Sequence, residues 1–66
     1  MPYLVGSSNN IYSMNIGSLE NAKETAQMNS LKKPNRTFYV RSQPKYGSNK
    51  RGRTVAKFKS GVQIEI

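Results

Sequence analysis

A single proline divides this chain into two unlike halves. Pro34 has no amide proton and drives the residue before it out of the helical region, so no upstream helix can run past about residue 32. Upstream of it, "GSLENAKETAQMNSLKKP" has a helical pattern. Ser18 suits the N-cap, and Glu20 suits the positive end of the helix dipole. Leu19, Ala22 and Ala26 fall on one stripe, while Lys23, Glu24 and Gln27 fall elsewhere. Met28 lies opposite that stripe. Either the helix stops near 28, where Asn29 and Ser30 favour an end, or Met28 is exposed. Lys32 and Lys33 read first as helix-end charges.

Beyond Pro34 the patterned stretches are strands. "RTFYVRS", 36–42, carries Thr, Phe, Tyr and Val in a row. Phe38 and Val40 share one face, and Thr37, Tyr39 and Arg41 the other. The last stretch, 53–66, is a hairpin, and its side-chain pattern predicts a register. A two-residue Ser60-Gly61 turn would set Lys59 opposite Val62 and Lys57 opposite Ile64, with lysines on the apolar face. A three-residue Lys59-Ser60-Gly61 loop instead pairs Phe58 with Val62, Ala56 with Ile64, Lys57 with Gln63 and Val55 with Glu65. It keeps one apolar face and has Gly61 for the left-handed loop position, so it is the expected register. Before the helix, Tyr12, Met14 and Ile16 alternate and predict a strand over 11–16. Residues 3–5 either pair with it across the turn formers Gly6 to Asn9 or form a loose arm.

The fold class that results is α+β: one helix on a three- to four-stranded antiparallel sheet, in the order β(β)–α–β–β–β, as a single small domain over 1–66. Its expected core is Tyr12, Met14, Ile16, Leu19, Ala22, Ala26, Phe38, Val40, Ala56, Phe58, Val62 and Ile64. That core is thin, and the chain has no cysteine or histidine, so no disulfide or structural zinc can reinforce it. A homodimer, or stabilisation by a partner, therefore stays open. The absence of cysteine fits a reducing compartment. No apolar run approaches the length of a membrane span, and "MPYLVGSSNN" lacks the basic region of a signal peptide. The expected location is the cytoplasm.

The same inventory argues against an enzyme and against a cofactor or metal. Aspartate is absent along with histidine and cysteine, and the only acids are Glu20, Glu24 and Glu65. General acid–base, nucleophilic and metal-assisted chemistry all need more than this.

Charge points to a partner instead. The net charge is +8, yet residues 1–30 hold only Lys23, Glu20 and Glu24. Ten lysines and arginines lie between 32 and 59, more than solubility asks, and such asymmetry suits a polyanion. Residues 43–53 form a long basic loop, expected to be flexible, with glycines that let its backbone approach phosphate. It carries Lys45, Tyr46, Lys50, Arg51 and Arg53. Arg51 and Arg53 are the better contacts, because guanidinium forks onto phosphate. The sheet face without a helix should add Tyr39, Arg41 and Lys57, beside Val55.

Cations interleaved with aromatics suit single-stranded nucleic acid, with rings stacking on bases, and a basic loop can also clamp a duplex backbone. Tyr39 serves equally as a cross-strand packing partner, and Tyr46 as a loop anchor. "RGRTVAKF" shares a basic residue, Gly52 and Phe58 with the RNA-recognition octamer, but Arg53 and Val55 stand where its rings belong. Nothing matches a phosphate loop, zinc finger or helix-turn-helix.

The leading expectation is thus a nucleic-acid-binding protein for RNA or single-stranded DNA, using mainly backbone contacts. Its rival is a phage- or mobile-element-type accessory protein that regulates or inhibits another protein through an acidic surface of that partner. A ribosome-associated assembly component, its loop ordered only in place, is a third.

Overall fold

The computed structural model describes residues 2–8, 10–50 and 52–64. Five strands and one helix follow the order β1 (Tyr3–Gly6), β2 (Ile11–Ile16), α1 (Leu19–Lys32), β3 (Thr37–Ser42), β4 (Thr54–Lys59) and β5 (Val62–Ile64). The strands form one antiparallel sheet in the spatial order β2-β1-β3-β4-β5, with α1 on one face. The α+β class and element order are as expected, with one strand more than the sequence suggested.

That additional strand is β1. The 3–5 segment lies between β2 and β3, in the interior of the sheet. Leu4 and Val5 are wholly buried there, although neither was expected in the core. A strand flanked on both sides, with successive residues buried on its two faces, shows a short apolar run and no alternation. "YLV" is that run.

The helix begins at Ser18, whose Oγ accepts from the Asn21 N–H at 3.4 Å. It runs through residue 28 to Lys32, leaving Met28 53% exposed, and the Lys33 N–H closes its last turn on the Asn29 carbonyl. Ala22 and Ala26 are its buried apolar residues, and they pack against Val5, Phe38, Val40, Ala56 and Phe58. Alanines let the helix axis lie close on the sheet, at the cost of little buried area per residue. Leu19, at the helix start, is exposed rather than in the core, and Tyr12 and Ile16 pack half-buried at its margin. Met14 is half-buried as well.

The C-terminal hairpin adopts the other register. Lys59 faces Val62, Phe58 faces Gln63 and Lys57 faces Ile64, across a two-residue Ser60-Gly61 turn. The expected Val55–Glu65 pair involves a residue outside those described. Both turn residues have positive φ, 54° and 80°, as in the mirror-image turn whose twist matches that of the strands. The helix also holds this turn. The Gly61 N–H donates to Ser30 Oγ at 2.8 Å, and Gln27 Nε2 donates to the Gly61 carbonyl at 3.0 Å. Ser60 Oγ donates to the Pro34 carbonyl at 3.3 Å. Apolar patterning loses here at the outermost strand, against which the helix packs least. Val62 and Ile64 consequently lie outside the core, on the same face as Lys57 and Lys59.

Val55 lies at an irregularity of β4. The β3–β4 pairing shifts between Val40–Ala56 and Arg41–Thr54, making Val55 an additional residue on β4, and it packs half-buried against the core.

Gly6 is the tightest point of the β1–β2 hairpin. A Cβ there would collide with the Asn10 carbonyl oxygen and the Ile11 backbone. Gly6→Ala is expected to lower stability by about 1–3 kcal/mol, the usual range for overpacking, measured as a lower urea midpoint. An unchanged midpoint would show that the hairpin backbone yields freely.

Candidate functional site

The helix covers the face that carries Phe38, Val40, Ala56 and Phe58, which leaves the opposite face uncovered by α1. Residues directly opposite in neighbouring strands share a face. One row across the uncovered face is therefore Gly6, Tyr39, Lys57 and Ile64, with Ile11 opposite Gly6 at the other edge. The flanking rows hold Leu4, Arg41 and Thr54 on one side, and Thr37, Lys59 and Val62 on the other.

Tyr39 is half-buried at the centre of this surface. The Arg41 guanidinium carbon lies 4.3 Å from its ring centroid, and Lys57 Nζ lies 5.8 Å away. Each contact contributes roughly 0.5–1 kcal/mol at a partly exposed site. The ring thus has one cation beside it from its own strand and one from the strand opposite.

The basic loop starts where β3 ends. Ser42 closes its base three ways: its N–H donates to the Arg53 carbonyl, its carbonyl accepts from the Gly52 N–H, and its Oγ accepts from the Arg53 N–H. A Cβ on Gly52 would run into Ser42, so the two segments approach as only glycine allows.

Gln43, wholly buried, then ties the loop to the end of β2. Its Oε1 accepts from the Asn15 N–H at 2.8 Å, and its Nε2 donates to Asn15 Oδ1 and to the Ser48 carbonyl, both at 2.9 Å. Asn15 Oδ1 also accepts from the Gly47 N–H at 2.7 Å. Asn15 sits in the left-handed region, φ 61°, a conformation asparagine tolerates better than most residues.

On this frame Lys45, Tyr46, Lys50 and Arg53 are exposed. Arg51 lies outside the described residues. Lys45 and Ser48 are joined by a backbone hydrogen bond around Gly47, and the Lys50 N–H donates to Ser48 Oγ. Tyr46 is 64% exposed, and its hydroxyl lies over Gly17, where a Cβ would stand 3.2 Å from it. Tyr46 therefore leans toward the start of the helix. It does not join Tyr39, which lies toward the other end of β3. The structure gathers Tyr39, Arg41 and Lys57 on one face, and places Lys45, Lys50 and Arg53 beyond the end of that face.

One further cation belongs to this surface, and another stands at its edge. Lys59 shares the uncovered face, a placement readable from the sequence only once the two-residue turn is chosen. Arg36 stands at the other end of β3, where its Nη1 donates to the Tyr12 hydroxyl at 3.2 Å. Lys33 Nζ lies 5.4 Å from the same ring. Alternation over 36–42 sets Arg36 with Phe38 and Val40, in keeping with its bond to Tyr12, whose ring packs on Phe38. Glu20 and Glu24 lie on the helix, in the other layer. Among the described residues no three acidic, histidine or cysteine side chains come together, and no helix is long and apolar enough to cross a membrane.

The chain matches no family model, no curated protein and no solved structure.

Gln43→Leu removes the amide from the buried network and leaves the Asn15 N–H without its acceptor. The expected cost is about 1–3 kcal/mol, with faster amide exchange at Asn15. Unchanged protection of the Asn15 amide would show that Gln43 does not hold this end of the sheet.

Proposed function

We propose that this chain is a small, non-enzymatic nucleic-acid-binding protein of the cytoplasm. It grips the phosphate backbone of RNA or single-stranded DNA with the loop 45–53 and the adjoining sheet face. The observation that carries this reading is the separation of charge between the two layers. Arg41 and Lys57, half-buried, and Lys59, exposed, lie on the face away from the helix, with Lys45, Lys50 and Arg53 at its end. The described acids, Glu20 and Glu24, lie on the helix. Among the described residues, a polyanion on the sheet side meets cations and no carboxylate, which favours both encounter and binding. With one ring on this face, already flanked by two cations, backbone contacts outweigh base stacking.

A second reading, docking on an acidic surface of a protein that the chain regulates, is favoured by β5. Among the described residues this strand pairs only with β4, and Val62 on it is 62% exposed. A short, exposed outer strand beside lysines suits strand addition to an acidic partner.

A salt titration separates the two. If roughly four to six phosphates are neutralised, log K against log salt falls with a slope of about −3 to −5. Arg51→Ala, Arg53→Ala and Lys57→Gln should each reduce that slope by about one unit, with binding still saturable near physiological salt. Binding that disappears with salt, or a slope indifferent to all three variants, would favour the protein-docking reading.

A further inference from the structure

At the end of β3 away from the basic loop, a groove runs between the β1–β2 turn and the start of the strand. Ser7, Asn10, Asn35, Arg36, Thr37 and Tyr39 line it. These side chains offer hydroxyls, amides, a phenol and one permanent cation, with no carboxylate among them. We infer that this groove is a second backbone subsite, which takes a phosphate and its sugar from the same strand that the loop 45–53 holds. The inference rests on the nucleic-acid reading above and extends it from one contact patch to a defined path.

Three observations support it. Arg36 is held in place: one of its donors is used on the Tyr12 hydroxyl, and the Tyr12 ring packs edge-on against buried Phe38 at 5.2 Å. A guanidinium fixed in this way loses less freedom on pairing with phosphate and still presents a fork. Tyr39 lines the groove and also belongs to the central row of the uncovered face, so the groove is continuous with Arg41 and Lys57. Finally, the groove and the loop lie at opposite ends of β3. Its six residues span about 17 Å at the usual strand rise. At about 3.4 Å of axis per phosphate, that is roughly five nucleotides of a helical strand. A ligand that fills both ends must be longer than a few nucleotides.

The test combines nuclear magnetic resonance mapping with variants at Arg36. A single strand of roughly twelve nucleotides, long enough on that spacing to reach both ends, is titrated into the full chain, and a matching duplex is run in parallel. Amide signals from Ser7, Asn10 and residues 35–39 should shift together with those of the loop and saturate at the same ligand concentration. Arg36→Gln should weaken binding several-fold and reduce the salt slope by about one unit, while Arg36→Lys should restore the slope. Groove signals that stay still, or an Arg36→Gln variant that binds like the parent with the parent's slope, overturn the second subsite. Loop signals that still shift in that case leave the first reading standing. Loss of saturable shifts everywhere near physiological salt overturns the nucleic-acid reading itself.

Discussion

The buried amide of Gln43 organises one whole end of this molecule. Its backbone N–H donates to the Pro2 carbonyl, and its side chain bonds Asn15 and the loop carbonyl of Ser48. One residue thereby joins the start of β1, the end of β2 and the loop that follows β3. A buried amide without partners is costly, so the surrounding groups must come to it, and Asn15 takes up a left-handed backbone conformation in this arrangement. The loop that carries Lys45, Lys50 and Arg53 is thus built on a polar core. A fully bonded polar cluster specifies geometry in a way that a few more alkyl contacts would not.

Ser30 has a matching role at the opposite end. Wholly buried in the last turn of the helix, its hydroxyl donates to the Gln27 carbonyl and accepts from the Gly61 N–H. This bond helps explain why the final hairpin gives up its apolar register. The helix bonds the tip of the hairpin and packs less against the outer strand than against any other strand. A tight turn bonded to the helix therefore prevails over burial of Val62 and Ile64, whose removal from water would stabilise by roughly 1.5–3 kcal/mol each only if something covered them. A thin core makes such trades possible, since few apolar contacts compete with each polar bond.

One helix on a five-stranded sheet leaves one face to the strands themselves, and here the face without a helix is the cationic one. Alternation along β3 and β4 puts Phe38, Val40, Ala56 and Phe58 toward the helix and sends Arg41, Lys57 and Lys59 the other way. The pattern that builds the core therefore also builds the basic surface. Tyr39 has Arg41 beside it on its own strand and Lys57 opposite it on β4, and its ring attracts both.

Features set by local chemistry were legible in the sequence alone. Ser18 and Pro34 bracket the helix, the alternation over 37–42 separates Phe38 and Val40 from Tyr39 and Arg41, and the charge runs mark the basic half. Tyr39, Arg41 and Lys57 follow from that alternation, and Lys45, Lys50 and Arg53 from composition. Only the tertiary structure decided what depends on partners distant in sequence. It placed Leu4 and Val5 in the interior of the sheet and left Val62 outside the core. It also turned Tyr46 toward Gly17 and brought Arg36 beside Tyr39 in one groove. Local periodicity records which way a side chain points along its own strand. It cannot record which strand lies alongside or how far a helix reaches, and in a domain with so small a core those two facts choose the register and shape the surface.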